Sequence, residues 1–297
     1  MAGQLNGVFA AGELARVRPE PSDEICGCGV PLVTCTVWSR ILAAWRLDVG
    51  DTLCSDVRWI AQRCSRRRHI PRLLLSSAIG GRAATRMQRV HQSLLRAIHS
   101  TTKAQWIVDS SKDPARAIAL AHTAGVAIRI IHLTRDPRGV SCSLMKSIER
   151  SPIAGVPRSI DGVSPKKAAR AWQVADAAAS RVARRFPPQH VLGVRYETML
   201  RSPDSVRASV ADFLGIEHHS ELACCRDVPL GHIASGNRLR MNGRLSIQLQ
   251  DEWADTLSPA DRSVIERVCR RKISLLGYGN PSWQQTNAPI DPFVRKA

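Results

Sequence analysis

Three short segments carry side chains that could act on a charged small molecule. Val108-Asp109-Ser110-Ser111-Lys112 offers a lysine, Arg135-Asp136-Pro137-Arg138-Gly139 offers two guanidinium groups with Ser143 eight residues after Arg135, and Arg195-Tyr196-Glu197 offers an aromatic ring. An arginine at a strand end and a serine one or two turns into the next helix can reach one phosphate, beside the free N–H groups of the helix start. A lysine at a neighbouring strand end can reach a second charged group of the same molecule, and a tyrosine at a third can stack on a base. Each segment also has an ordinary reading: a salt-bridged loop arginine with a helix serine, a solvated lysine beside the capping Asp113, and a packed ring at Tyr196.

Such residues need a scaffold that brings strand ends together, and from Gln105 onward the chain alternates short apolar runs with helical periods, the pattern of βαβ units. Trp106-Ile107-Val108 predicts a strand ending at Asp109, and Asp113-Pro114 predicts a helix start with Gly125 as its stop. Ala127 to Leu133 predicts a second strand, Val140 to Ile148 a helix, Lys166 to Arg185 a long helix and Val191 to Tyr196 a third strand. Ser202-Pro203 opens a helix closed by Gly215, and Ser258-Pro259 opens a last one that stops at Gly277. Before residue 100 the pattern reads as helices and loops, with helical stretches at Val37 to Trp45, Asp56 to Cys64 and Ala83 to His99 and a basic run at Ser65 to Arg72. Ser151 to Pro165 and Leu230 to Gly243 read as loops, His218 and His219 as surface residues, and Trp172 and Trp253 as core. The expectation is one α/β domain over 1–297, a central parallel sheet flanked by helices: a mostly helical part at 1–100, an α/β core at 101–280 and a tail at 281–297.

Composition narrows the partners less than it first suggests. Forty-three basic against 25 acidic residues give a formal charge of +18, which favours anionic partners. Only seven of the 43 are Lys, and a GC-rich genome produces that arginine bias without any ligand. A basic nucleic-acid binder is one reading, but no aromatic-rich basic face supports it. No run of eighteen apolar residues occurs and the start lacks the pattern of a signal peptide, so a cytoplasmic protein with no integral membrane segment is expected. Nine cysteines, an odd number, then point to reduced thiols. Cys26, Cys28 and Cys35 could bind zinc with Cys54 or Cys64, but C-x-C-x6-C lacks the C-x2-C spacing of zinc ribbons, and no metal is expected.

Several of these segments occur in one order with GEL at Gly12 to Leu14, CGCGxPLxxCxxW from Cys26 to Trp38, VDSSKDP from Val108 to Pro114, LTRDPRGVxxSLMK from Leu133 to Lys146, RYE at Arg195 to Glu197, FLGI from Phe213 to Ile216 and HIASGNRLR from His232 to Arg240. In this the chain resembles the sulfotransferases that use 3′-phosphoadenosine 5′-phosphosulfate (PAPS), from about Gly7 to Tyr278. The resemblance implies a P-loop NTP hydrolase-like fold and transfer of a sulfuryl group from PAPS to an acceptor hydroxyl, without a metal. It implies that Arg135 and Ser143 hold the 3′-phosphate, that Tyr196 lies against adenine, and that Arg238 and Arg240 close over the same phosphate. Glu13 is the implied base and Lys112 the implied cation at the bridging oxygen, with an acceptor pocket built by residues 1–100 and the Ser151 to Pro165 loop. In that family a strand and a phosphate loop of the type PRSGTT precede the words found here at Gly7 to Leu14. The resemblance therefore also implies that the first strand and loop, roughly twenty or more residues, are missing, either because the start is assigned downstream or because the gene is truncated and its product inactive.

Overall fold

The structure is a computed structural model that describes residues 2–20, 22, 24–63, 82–151, 159–217, 227–236, 238–246 and 253–279. The basic run at Ser65 to Arg72, residues 152–158 of the Ser151 to Pro165 loop, His218, His219, Cys64 and the tail lie outside the described residues. In chain order the elements are strand β1 (Val8–Gly12), helices α1 (Trp38–Val49), α2 (Leu53–Arg63) and α3 (Arg82–Thr102), strand β2 (Trp106–Asp109), α4 (Pro114–Ala121), β3 (Ile130–Thr134), α5 (Pro137–Met145) and α6 (Pro165–Ala183). Then follow β4 (Val191–Arg195), α7 (Tyr196–Arg201), α8 (Pro203–Leu214), β5 (Asp227–Pro229), β6 (Arg244–Ser246), α9 (Trp253–Thr256) and α10 (Pro259–Leu275).

The expected α/β class with parallel pairing holds, and the described strands pair two by two. β1 runs parallel to β2, with Val8 opposite Trp106 and Gly12 opposite Asp109, and β3 runs parallel to β4 from Ile130 opposite Val191 to Thr134 opposite Arg195. β1 corrects the expectation of helices and loops before residue 100. Its five residues, Val-Phe-Ala-Ala-Gly, lack alternation and contain two alanines, so nothing local marks a strand, and its partner lies about a hundred residues on. The strand ends at Gly12, whose φ of +87° is open to glycine, and a Cβ there would stand 2.3 Å from the carbonyl oxygen of Ser235. Only glycine lets the late chain come this close. That late chain, expected as an open loop, is bracketed by an antiparallel β5–β6 hairpin.

The helices form where caps and apolar spacing coincide. Asp113 accepts the N–H of Ala115 at 3.0 Å to start α4, and Asp136 accepts that of Arg138 at 2.8 Å to start α5, each with Pro in the first turn. Trp38, Ile41, Leu42 and Trp45 line one face of α1 and bury it against Val90, Leu94 and Ile98 of α3. Each such side chain contributes roughly 1.5–3 kcal/mol by leaving water. The polar atom of Trp45 is matched, its indole N–H donating to Ser93 at 3.0 Å, and buried Asp56 is ion-paired with Arg86 and Arg89, which ties α2 to α3. A second core joins α5, α6 and α10 through Cys142, Trp172, Ile265, Cys269 and Tyr278. Among the described residues no helix is long and apolar enough to cross a membrane.

Candidate functional site

In a parallel pair both strands end on the same edge, and the residues just past those ends meet. Past β1 comes Glu13 and past β2 comes Lys112; past β3 comes Arg135 and past β4 comes Tyr196.

Asp109 builds the first of these ends. Its Oδ1 accepts the N–H groups of Leu14 at 3.2 Å and Ser111 at 3.0 Å together with the Ser111 hydroxyl, while its Oδ2 is ion-paired with Arg116. Ser111 Oγ in turn accepts the N–H of Ala15 at 3.0 Å, so the turn after β2 is stitched to the turn after β1. Arg116 is steadied from behind by His91 Nε2 at 3.1 Å. Burial, then the Arg116 charge, hold His91 well below the usual imidazole range, so the neutral ring accepts. This stitching sets Lys112 at φ +57°, a left-handed conformation rare for a lysine, and its ammonium meets the carboxylate of Glu13. Arg16 Nε holds the other Glu13 oxygen at 2.8 Å. The partners differ in exposure: the Glu13 side chain is 7% exposed and the Lys112 side chain 70%. The carboxylate is buried while the lysine faces solvent.

The late chain closes over this end. The Glu13 N–H donates to the Ser235 carbonyl at 2.9 Å and the Ala234 N–H to Ala11 at 3.0 Å, which sets Gly236 beside the Glu13 carboxylate. Ser235 Oγ donates to Glu24 at 2.6 Å, and Arg240 is buried, donating to the carbonyls of Gly236 at 3.1 Å and Ile25 at 3.2 Å with Glu24 3.6 Å away. The contacts of Arg240 thus join it to the Glu13 end, where it holds two backbone segments, and not to Arg135. The side chain of Arg238 lies outside the described residues.

At the second end the Arg135 guanidinium lies on the Tyr196 ring, 4.4 Å from its centroid, and Trp172 donates its indole N–H to the Arg135 carbonyl at 3.1 Å. Ser143 is exposed on α5, eight residues further on. Tyr196 opens α7 instead of closing a strand. Beneath this surface lies a buried network. Arg138 grips Asp136 at 2.7 and 3.0 Å, donates to the Tyr278 carbonyl at 2.9 Å and reaches Glu266 at 3.1 Å. Glu197 accepts the Asp136 N–H at 2.9 Å and the Tyr278 hydroxyl at 3.0 Å. Burial raises Glu197 above the usual carboxylate range, the two hydrogen bonds offsetting part of that rise, and burial followed by the Glu197 charge raises Tyr278. Trp172 is buried as expected, whereas Trp253 is only half-buried because its ring faces the guanidinium groups of Arg138 and Arg262.

The structure therefore brings Glu13 to Lys112 and Arg135 to Tyr196. Sequence reasoning missed Asp109 and Ser111 as the residues that set Lys112; a carboxylate followed two residues later by serine at a strand end is the Asx-turn signal that marks them. It also missed His232, which the late chain carries back to Cys26, Cys28 and Cys35.

A profile described as "Sulfotransferase family" matches residues 49–220, more than half of the chain and the part that holds Lys112, Arg135, Ser143 and Tyr196. Among solved structures the chain is similar to the sulfotransferase domain from the curacin biosynthetic pathway, at 13% identity over 68% of this chain and 77% of that one, with a TM-score of 0.39. It is also similar to the sulfotransferase domain from the Synechococcus PCC 7002 olefin synthase, at 20% identity over 67% and 74% of the two chains, with a TM-score of 0.39. No curated protein matches the chain.

Proposed function

Since the chain belongs to the sulfotransferase family, we propose that it moves a sulfuryl group from PAPS to the hydroxyl of an acceptor, and that the two strand-pair ends divide the work. The observation that carries this reading is the Glu13–Lys112 pair: a buried carboxylate and an exposed ammonium, 99 residues apart in sequence, set side by side where two parallel strands end.

The chemistry asks for a proton acceptor beside the incoming hydroxyl and a cation beside the departing phosphate. The acceptor oxygen forms a bond to sulfur as the bond from sulfur to the bridging phosphate oxygen breaks. The hydroxyl proton passes to Glu13, and the charge left on adenosine 3′,5′-bisphosphate is met by Lys112. Lys112 covers Glu13 in the structure; its exposed side chain can turn from the carboxylate to the bridging oxygen, which uncovers Glu13 for the acceptor. Asp109 and Ser111 act through the turn that aims Lys112.

The second end suits the nucleotide. Arg135 at the start of α5, with exposed Ser143 on the same helix, would take the 3′-phosphate beside the helix N-terminus. Arg135 covers one face of Tyr196, so adenine would use the opposite face. In this reading Arg240 serves the cofactor indirectly, by fixing the chain beside Gly236, and residues 1–100 shape an acceptor pocket whose ligand class stays open. The anionic donor and reduced thiols both suit the cytoplasm, which is the compartment we propose.

Calorimetric titration of adenosine 3′,5′-bisphosphate into the 297-residue chain tests the reading, with adenosine 5′-monophosphate as control and Arg135→Ala as second protein. Binding that needs both the 3′-phosphate and Arg135 is expected. No heat from a folded sample, or equal binding of both nucleotides, would overturn the assignment of this end.

A further inference from the structure

Away from the reacting groups, four side chains from distant parts of the chain converge. Cys26, Cys28 and Cys35 come from the segment before α1 and His232 from the late chain, and their ligand atoms all lie within 4.8 Å of one another. Cys35 Sγ is 3.6 Å from Cys26 Sγ, 3.7 Å from Cys28 Sγ and 3.3 Å from His232 Nδ1, and Cys26 Sγ is 4.0 Å from the same nitrogen. A tetrahedral zinc ion, with bonds of about 2.3 Å to sulfur and about 2.0 Å to nitrogen, sets its ligands roughly 3.8 Å and roughly 3.5 Å apart. No disulfide joins them: all three thiols are free.

Backbone N–H groups are aimed at the sulfurs. The backbone N–H of Trp38 points at Cys35 Sγ at 3.5 Å, and the N–H groups of Cys28 and Val30 face the sulfurs of Cys26 and Cys28. Three thiolates, a neutral imidazole and a divalent ion sum to one negative charge, and the buried Arg240 cation holds the carbonyls of Ile25 and Gly236 next to both ligand segments. The backbone is already tied across the site: Gly27 N–H donates to Ile233 at 2.9 Å and the Trp38 indole to the His232 carbonyl at 2.6 Å.

We propose that Cys26, Cys28, Cys35 and His232 form a structural zinc site. The soft donor set of three sulfurs and one nitrogen selects zinc, and four protein ligands leave no position for water or substrate, so the metal does no chemistry. Its work is mechanical: it clamps the late chain against the start of α1 and thereby holds Ser235 and Gly236 at Glu13. The C-x-C-x6-C spacing counted against a metal because the fourth ligand lies 197 residues beyond Cys35.

The test needs no sulfuryl-transfer assay. The full chain, purified under reducing conditions without chelator, should carry about one zinc per molecule, and Co2+ exchanged into it should give the visible absorption of a tetrahedral thiolate site. Cys28→Ser removes an exposed ligand and leaves the core intact, so it should weaken zinc binding about 100-fold or more, while Cys54→Ser keeps the metal. Chelation should raise hydrogen exchange at 231–236 and leave α10 unchanged. A folded chain that takes up no zinc at roughly micromolar concentration, full zinc in both Cys28→Ser and His232→Ala, or a Cys26–Cys35 disulfide in freshly reduced protein would each overturn the proposal.

Discussion

At the end of β1 and β2 the network of Asp109, Arg116 and His91 holds a turn whose lysine is exposed, whereas at the end of β3 and β4 the network of Asp136, Arg138, Glu197 and Tyr278 lies beneath an arginine stacked on a ring. Both ends are strand termini followed by a capped helix with Pro in its first turn. The difference lies in the side chain that each network carries. A group that must move between a carboxylate and a leaving phosphate needs solvent around it, while a guanidinium that must wait in one place for a phosphate needs its backbone fixed. Arg135 has that, with its carbonyl held by Trp172 and the next residue's N–H held by Glu197.

That contrast can be broken at four points. Replacing Glu13 by Gln should lower kcat by about 10²–10⁴ with the affinity for adenosine 3′,5′-bisphosphate nearly unchanged; a large loss of affinity instead would move Glu13 from the reacting end to the binding end. Asp136→Ala leaves the Arg138 charge buried without its main partner, and denaturant unfolding should show a loss of about 3–5 kcal/mol. A loss no larger than that of an exposed pair would mean that the network is not what fixes this end. Arg135→Ala should weaken the bisphosphate by about 1.5–3 kcal/mol, roughly 10–150-fold, and leave the 5′-monophosphate alone. The smallest effect is in pH. Because the folded chain holds Glu197 above its ordinary value, the stability tied to its protonated form is complete below about pH 4.5 and is lost as pH rises through the folded value. The melting temperature of wild type relative to Glu197→Gln should therefore fall as pH rises above about 4.5; a difference that is flat or rises with pH would show that the hydrogen bonds from Asp136 and Tyr278 outweigh burial.

Much of the second end was legible in the chain itself. Arg135 and Tyr196 follow from the apolar runs that precede them, although the helix expected from Val140 in fact starts at Asp136-Pro137, three residues earlier. The Asp113-Pro114 cap was equally readable. What could not be read depends on pairing across long gaps. β1 exists because Val8 meets Trp106, His232 joins the cysteines only because Gly12 admits Ser235, and Arg240 turns inward because Glu24 and Gly236 are already adjacent. Local spacing carries none of these, since each is fixed by a partner about a hundred or more residues away.

Lys112 stands in a left-handed conformation without the ordinary excuse of its counterpart Lys103, whose N–H closes α3 on the His99 carbonyl. A side chain in that conformation costs about 1–2 kcal/mol that glycine would not. Replacing Lys112 by glycine would relieve that cost but would also strip the buried Glu13 carboxylate of one of its two cations, so position 112 carries a backbone cost that its pairing with Glu13 offsets.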